Sequence, residues 1–313
     1  MKVFLAGTVM AVSLLSGCAV MRADVRPAPE VTVPKTPEMV ARGQYLFKHV
    51  MDCTGCHTTL DPKTFKPDLT KFAAGGNMFG PEFGAPAKVF SANLTSDPKT
   101  GLGSWTDGEI LRALREGVSR DGRPLMPMMP YMNYHELSDD DAYALVAFMR
   151  TIKPVENRVP ANEIGFPLNM LANTFPKKLD APVAPPANDP IARGRYLVKM
   201  AGCAECHSPM GAAGPDVSRA FAGGAFFKGE GLGPEGKGIK VPNISPDVAT
   251  GIGSWTDAQI ANAIRFGQRP DGKTLRPPMM WPNYNGINDE DIKAMVAYLR
   301  TVPAQKNPVE GRW

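Results

Sequence analysis

Two stretches of the chain, "MDCTGCHTTL" and "AGCAECHSPM", contain the pattern Cys-x-x-Cys-His. On one turn of a helix, residues i, i+3 and i+4 share a face, so a flat ligand on that face could be bonded twice and coordinated once. A c-type haem requires this arrangement, because its vinyl groups form two thioethers with cysteines and the following histidine ligates the iron. We therefore expect two covalently bound haem c groups. The attachment and iron-binding residues would be Cys53, Cys56 and His57 in the first stretch and Cys203, Cys206 and His207 in the second.

Two other chemistries use the same spacing of cysteines. A redox-active dithiol normally lies between a strand and a helix, and neither motif follows a strand-like pattern. A structural zinc site needs four ligands, and here the two cysteine pairs lie in separate repeats. Haem attachment gives a role to four of the five cysteines and leaves only Cys18 for another role.

The chain consists of two similar halves related by an offset of 150 residues. The longest matching block is "TGLGSWTDGEI" against "TGIGSWTDAQI", and the register slips by one residue between "ARGQYLF" and "ARGRYLV". Proline-rich stretches mark the boundaries between the segments. The predicted segments are a lipoprotein signal peptide at 1–17, a Pro-rich tether at 18–37, domain 1 at 38–152, a linker at 153–189, domain 2 at 190–303 and a C-terminal tail at 304–313.

The same helices are predicted in both halves. The first covers about residues 38–51 and 190–201 and leads into the cysteine motif. A second helix begins with a capping box and ends at a glycine, and a last helix begins with aspartates in its first turn. No segment shows convincing strand alternation, so the sequence predicts an all-α fold: two helical domains with long loops. The predicted caps and terminal glycines are Thr106, Gly117 and Ser138 in domain 1 and Thr256, Gly267 and Asn288 in domain 2.

The second axial ligand of each iron is expected among the methionines. "DGRPLMPMMPYMNY" offers four of them, and its counterpart "DGKTLRPPMMWPNY" offers two. Only Met129 has a methionine at the matching position of the other half, Met279, and both follow their histidine by 72 residues. We predict these two as iron ligands. Met128 and Met280 are the alternatives, because clustered methionines also serve as core filling.

The N-terminus has the features of an export signal. "MKVFLAGTVMAVSLLSGC" contains one cation and then an uncharged stretch too short for a spanning helix, which needs about 20 residues. Its end, from Leu15 to Cys18, resembles the lipobox of bacterial lipoproteins, in which the cysteine is lipid-modified; a plain signal peptide with an incidental cysteine is the alternative. Lipid on Cys18 would hold the protein on a membrane surface. By the same resemblance, Ala19 directly after the cysteine indicates that the lipid anchors the protein in the outer membrane, in the periplasm. The net charge of +4 is not gathered into basic runs and indicates no nucleic-acid partner.

These patterns resemble a known family. The cysteine motif, the block Asn-(Leu or Ile)-x-x-Asp followed by Thr-Gly-x-Gly-Ser-Trp-Thr-Asp, and the Pro-x-Met segment are similar to class I cytochrome c domains in the cytochrome subunits of bacterial periplasmic dehydrogenases. "FPLN" at 166–169 is also similar to those subunits, and the likeness covers residues 38 to 303. The chain departs from the alcohol and gluconate dehydrogenase subunits in having two haem motifs instead of three. It also has Met280 where a proline usually follows the ligand.

The resemblance implies further roles around the haem. Pro67 and Pro215 fall where a proline carbonyl would accept the N–H of the ligand histidine; the alternative is that they are turn prolines only. Trp105 and Trp255 would either hydrogen-bond haem propionates or only pack.

The resemblance and the comparison of the two halves also suggest structural roles. Gly43 and Gly194 would let the first helix of each domain approach the last helix closely. His49 and His135 have no histidine counterparts in the other half, and we expect them to be surface residues.

Histidine and methionine together would occupy both axial positions, so no site remains for a substrate. A methionine ligand raises the reduction potential of the iron. We therefore expect a lipid-anchored dihaem electron carrier, not an enzyme, between a dehydrogenase or quinol-oxidising complex and a high-potential acceptor such as a terminal oxidase or another cytochrome. The alternatives are a dihaem peroxidase, which would need one iron with an open position, and an obligate cytochrome subunit of a dehydrogenase complex.

Overall fold

The computed structural model describes residues 25–61, 66–80, 87–211, 214–228 and 238–309. The predicted signal peptide, Cys18, the first part of the tether and the last four residues of the tail lie outside these ranges. Within them, no helix combines the length and the apolar composition needed to cross a bilayer. Domain 1 contains α1 (Pro37–Tyr45), α2 (Cys53–His57), α3 (Asp107–Glu116), α4 (Tyr131–Tyr134) and α5 (Asp139–Met149). After α6 (Leu168–Leu171) in the linker, domain 2 contains α7 (Pro190–Met200), α8 (Cys203–His207), α9 (Asp257–Phe266), α10 (Trp281–Tyr284) and α11 (Asp289–Thr301).

The helix ends follow the signals in the sequence. The Thr106 hydroxyl accepts from the Glu109 backbone N–H at 3.1 Å, and the Glu109 carboxylate accepts from the Thr106 N–H at 2.8 Å. Gly117 ends α3 in the left-handed conformation, with φ of 72°. The predicted caps are thereby confirmed, and domain 2 repeats them at Thr256, Gln259 and Gly267.

The slip of one residue between the two halves has a structural cause. Cys53 follows Arg42 by 11 residues, whereas Cys203 follows Arg193 by 10. Domain 1 accommodates the extra residue in a π-helical turn at Leu46–Val50, between α1 and α2. The corresponding helix α7 is α-helical throughout.

The first and last helices of each domain cross at a glycine. α1 packs against α5, and α7 packs against α11. At Gly43 and Gly194, a side chain would overlap the backbone carbonyls of Ala144 and Ala294, so only glycine allows the helices to approach this closely. The predicted close approach is confirmed. Buried core side chains near these crossings are Leu46, Phe47 and Leu145 in domain 1 and Leu197, Ile292 and Met295 in domain 2.

Short strands correct the all-α expectation. The protein is mostly helical, with 38% helix and 8% strand. Each strand has two to four residues, which is too short to show the alternation that reveals a strand in a sequence. The first three strands in chain order form one antiparallel sheet, the next two a second and the last two a third. The strands are β1 (Met78–Phe79), β2 (Ala87–Phe90), β3 (Glu163–Ile164), β4 (Met210–Gly211), β5 (Gly214–Pro215), β6 (Phe226–Phe227) and β7 (Ile239–Lys240).

The segments outside the domains lie against them. Residues 25–36 are not helical, and they dock on domain 1 instead of projecting from it. Arg26 forms an ion pair with Glu116, and the Val33 N–H donates to the Asp107 carboxylate at 2.8 Å. The linker adds β3 to the edge of β2, so it is also attached to domain 1.

Two equivalent polar clusters join the domains. In the first, Arg42 and Asp141 form a bidentate ion pair at 2.8 and 2.9 Å between α1 and α5. Tyr196 of domain 2 donates its hydroxyl to the same carboxylate at 2.7 Å. In the second cluster the domains exchange roles. Arg193 and Asp291 of domain 2 form an ion pair at 2.5 Å, and Tyr45 of domain 1 donates its hydroxyl to the Asp291 carboxylate at 2.6 Å.

We predict that the double variant Tyr45→Phe/Tyr196→Phe weakens the association of the domains and leaves each Arg–Asp pair in place. A hydrogen bond to a charged group contributes roughly 1.5–3 kcal/mol, so the free energy of unfolding should fall by a similar amount for each tyrosine. Chemical denaturation of the haem-loaded protein measures this change. The control is Tyr143→Phe, because the Tyr143 hydroxyl has no hydrogen bond to any residue within the described ranges. Equal stability of the double variant and the control would contradict the role of the clusters.

Candidate haem sites

Each cysteine motif forms one turn of helix, and its histidine ring is held by a backbone carbonyl. The Nδ1 atom of His57 lies 2.7 Å from the carbonyl oxygen of Ala92, and that of His207 lies 2.9 Å from the carbonyl oxygen of Pro242. Because a carbonyl oxygen can only accept, Nδ1 carries the proton in both rings, and Nε2 keeps its lone pair for a metal. Burial lowers the pKa of both imidazoles and outweighs the opposing hydrogen bond to the carbonyl. Both rings are therefore neutral at neutral pH, as ligation requires.

The prediction that Pro67 and Pro215 hold the histidines is wrong. Each proline instead takes part in a short antiparallel pairing within the loop that follows its histidine. The true acceptors, on Ala92 and Pro242, lie 35 residues beyond the histidine in each domain. Every residue has a carbonyl, so residue type alone gives no indication of such an acceptor. The available signal was positional, because matching asparagines directly follow both acceptors in the sequence.

Those asparagines fix the loop that carries the acceptor. Asn93 is 3% exposed, and its side-chain amide donates to the carbonyl oxygen of Val155 at 2.8 Å. Asn243 is 2% exposed and donates to the carbonyl oxygen of Gln305 at 2.6 Å. Each carbonyl acceptor is therefore tied to the chain that follows the last helix of its domain.

The four motif cysteines lie on α2 and α8, and none of them forms a disulfide. Cys56 and Cys206 have some exposed surface, but the surrounding protein atoms still disfavour the charged thiolate form. The loss of solvation raises the pKa of Cys56 to about 12 and that of Cys206 to about 11. Before haem attachment the four thiols are therefore protonated at neutral pH.

A cavity of about 310 Å³ in domain 2 is lined by predicted site residues of that domain. Cys203, Cys206, His207 and Met279 all line it, and most of the remaining wall is apolar. Among the described residues, its charged wall groups are two arginines and no carboxylate. A haem c is a flat apolar ring with two anionic propionates, so this combination of groups fits it. The arginines are Arg269 and Arg276.

The predicted methionine ligands have suitable positions. Met129 packs against the core of domain 1, and Met279 lines the cavity of domain 2. The alternative ligand Met280 also lines that cavity, but its methyl group lies against Gly55, on the attachment helix of domain 1. This contact across the domain boundary favours Met279 as the ligand and gives Met280 a packing role.

The two tryptophans occupy equivalent positions. Trp105 and Trp255 both pack against the core, and Trp255 lines the cavity. The carbonyl oxygen of Trp105 accepts from the Arg150 guanidinium at 2.6 Å, and that of Trp255 accepts from Arg300. The packing role is thus visible, and contact with a propionate stays a prediction.

Interface residues adjoin both motifs, and sequence reasoning did not identify them. Asn283 of α10 donates to Asp52, the residue before Cys53, at 2.5 Å. In the equivalent contact, Asn133 of α4 donates at 3.1 Å to Glu205, which lies between the cysteines of α8. Burial raises the pKa of Asp52 to about 6, although hydrogen bonds from three groups oppose this shift. Matching asparagines at an offset of 150 residues were the signal that could have revealed this pair of contacts.

The expectation that His49 is a surface residue is wrong, because it lies at the domain boundary, whereas His135 keeps part of its surface exposed. Both are half-buried. His49 lies in the π-helical turn and donates to the carbonyl oxygen of Asn283 in domain 2 at 2.8 Å. His135 donates to the carbonyl oxygen of Arg115 at 3.1 Å. A comparison of two halves of one sequence does not show that the halves pack against each other, and this is why His49 was misplaced.

Two regions of the chain, residues 40–153 and 191–303, match the family described as Cytochrome c. The chain belongs to the cytochrome c family. Each matched region contains one attachment motif, one held histidine and one predicted methionine ligand. This cytochrome is an electron-transfer protein, and it carries two covalently bound haem c groups.

Three similar proteins support the same family. A diheme cytochrome c-type protein of Cereibacter sphaeroides is 30% identical over 94% of this chain and 97% of its own length. The fructose dehydrogenase cytochrome subunit of Gluconobacter japonicus is 31% identical over 94% of this chain, and the cytochrome c subunit of a quinone alcohol dehydrogenase of Gluconobacter oxydans is 31% identical over 85%. The chain spans 58% and 55% of the length of these two subunits.

We predict different outcomes for the adjacent methionines of domain 2. Met279→Ala should remove the methionine-to-iron charge-transfer absorption of one haem and lower its reduction potential, because a soft neutral ligand is lost. Met280→Ala should keep both properties. Visible absorption and a redox titration of the purified dihaem protein measure them. If Met280→Ala removes the band and Met279→Ala does not, the ligand assignment is reversed.

Proposed function

We propose that this cytochrome is a lipid-anchored carrier of single electrons. Its donor is a periplasmic or membrane dehydrogenase or a quinol-oxidising complex. Its acceptor is a high-potential centre such as a terminal oxidase or another cytochrome. The observation that carries the proposal is the paired arrangement of a held histidine and a methionine in each domain, with both attachment motifs at the domain boundary.

The axial groups support electron transfer over substrate chemistry. His207 and Met279 both line one cavity, and the repeat provides His57 and Met129 in domain 1. An iron closed by imidazole on one side and thioether on the other changes oxidation state without binding a substrate. The peroxidase alternative would need one of these positions to be open.

The domain boundary supports transfer within one molecule. Asn283 and Met280 of domain 2 contact the attachment segment of domain 1, and Asn133 of domain 1 contacts that of domain 2. Each methionine-bearing segment therefore reaches the opposite attachment helix. This proximity favours a relay in which one domain accepts an electron and the other delivers it.

The proposed partner class follows from the relatives. Those named as dehydrogenase cytochrome subunits share this chain's two domains but are longer, whereas the diheme relative has nearly the same length. We infer that the donor is a dehydrogenase or quinol-oxidising complex that releases electrons one at a time. Contacts between such redox partners usually bury little surface.

Lipid on Cys18 would keep domain 1 close to a membrane. Cys18 precedes residue 25 of the docked segment by seven positions. Such a stretch spans at most about 25 Å when fully extended. The proposed anchor, on the periplasmic side of the outer membrane, therefore limits how far domain 1 can move from the bilayer.

The full chain, produced in a bacterium that matures haem c, tests the electron-carrier function. We expect an intact mass with two haems, low-spin spectra for both irons in both oxidation states, and rapid oxidation of the reduced protein by a soluble high-potential cytochrome c. Hydrogen peroxide should not be turned over. A high-spin haem that consumes peroxide would support the peroxidase alternative, and a mass with fewer than two haems would refute the proposal.

A separate variant tests the anchor. Cys18→Ser should move the protein from the membrane fraction to the soluble periplasmic fraction, because the acyl chains that hold it are no longer attached. The haem content of the variant should be unchanged and serves as the control for folding. A wild-type protein found only in the soluble fraction would exclude the anchor and leave the electron-transfer role intact.

A further inference from the structure

The cavity of domain 2 carries a positive charge that the repeat does not reproduce in domain 1. Arg269 and Arg276 line this cavity. At the matching positions, 150 residues earlier, domain 1 has Ser119 and Met126. The two sites are therefore built alike but differ in charge.

The backbone hydrogen bonds around the second of these positions are the same in both domains. The N–H of Met279 donates to the carbonyl oxygen of Arg276 at 3.2 Å, and the N–H of Met129 donates to that of Met126 at 3.1 Å. The residue before each position is a leucine, and its backbone N–H donates at 2.7 Å to the carbonyl oxygen of the glycine that ends α3 or α9. Arg276 and Met126 thus begin turns with the same hydrogen bonds before the predicted methionine ligand, although the Pro277–Pro278 peptide of domain 2 is cis.

Carboxylates pair with several of the other cations, whereas Arg112 of domain 1 donates to the backbone carbonyls of Ser119 and Arg120. Arg269 forms an ion pair with Asp271 at 2.9 Å. In domain 1, Arg123 pairs with Asp121 at 3.7 Å and Arg120 with Glu109 at 3.5 Å. For Arg276, no carboxylate of the described ranges lies within ion-pair distance.

The acidic groups beside the two motifs also balance. Asp52 adjoins the motif of domain 1 and Glu205 lies within that of domain 2, and each accepts a hydrogen bond from an asparagine of the other domain. Among the cations that line the cavity of domain 2, Arg276 is then the one without a carboxylate partner in the described ranges, and domain 1 has a methionine in its place.

We propose that Arg276 raises the reduction potential of the haem in domain 2 above that of the haem in domain 1. A cation near a redox centre opposes the oxidised state, because that state carries one more positive charge. An electron that reaches this cytochrome would then pass from domain 1 to domain 2, oxidising one iron and reducing the other without a proton. This inference rests on the proposed electron-carrier function and adds its direction: domain 1 faces the donor and domain 2 faces the acceptor.

The repeat offers a direct exchange of the two residues as a test. Arg276→Met and Met126→Arg each give one domain the residue of the other. At a separation of about 10 Å and an effective dielectric of about 20, a unit charge changes the ratio of reduced to oxidised haem on the order of tenfold. For one electron, this ratio corresponds to about 59 mV. Redox titration followed by haem absorbance, at low ionic strength, measures both potentials.

We expect each variant to move a different potential. Arg276→Met should lower the higher potential, Met126→Arg should raise the lower one, and the double variant should reverse the order of the domains. Because Arg276 is exposed, these shifts should decrease at high salt. The control is Arg158→Met, which removes an exposed arginine that does not line the cavity and should move neither potential.

The outcomes separate this inference from the proposed function. Two haems whose potentials are unmoved by the exchange, or a higher potential that is lowered by Arg158→Met as much as by Arg276→Met, would overturn the role of Arg276 and leave the carrier function standing. A rise of the lower potential in Arg276→Met would overturn it as well. Loss of haem from the wild-type chain would refute the proposed function itself.

Discussion

Both haem sites depend on the hydrogen bond from the histidine Nδ1–H to a backbone carbonyl. Without it, the ring could rotate about its side-chain bonds, and Nε2 would not have a fixed direction. The carbonyl is positioned in turn by a buried asparagine, Asn93 or Asn243, which is bonded to the chain beyond the last helix. The iron ligand is thus connected through two hydrogen bonds to the end of its own domain. The bonded residues, Val155 and Gln305, lie two residues beyond the regions matched as cytochrome c domains.

The second constraint is the domain boundary. Tyr45 and Tyr196 each complete an Arg–Asp pair of the other domain, so the clusters form only when the domains are in contact. The same boundary brings Asn133 and Asn283 to the opposite attachment segments. These hydrogen bonds therefore fix the relative position of the two haem sites, and the linker is not needed to fix it.

Departures from the repeat are as informative as the repeat. The extra residue of domain 1 produces a π-helical turn, and His49 in that turn reaches domain 2. The exchange of Met126 for Arg276 places a cation in the wall of the domain 2 cavity and keeps the hydrogen bonds of the turn. A duplicated fold can in this way keep its ligand geometry while its two halves acquire different partners and different potentials.

The sequence by itself determined the haem attachment, because two thioethers and one imidazole must lie on a single helical turn and their spacing is therefore local. It determined the capping boxes and terminal glycines for the same reason, and the comparison of its halves singled out Met129 and Met279. Only the tertiary structure decided that Ala92 and Pro242 hold the histidines, that residues 25–36 dock on domain 1, and that His49 is an interface residue. Those contacts join residues that are distant along the chain, and many use backbone groups that all residues share. Their positions therefore depend on how the helices pack and leave no pattern in residue type.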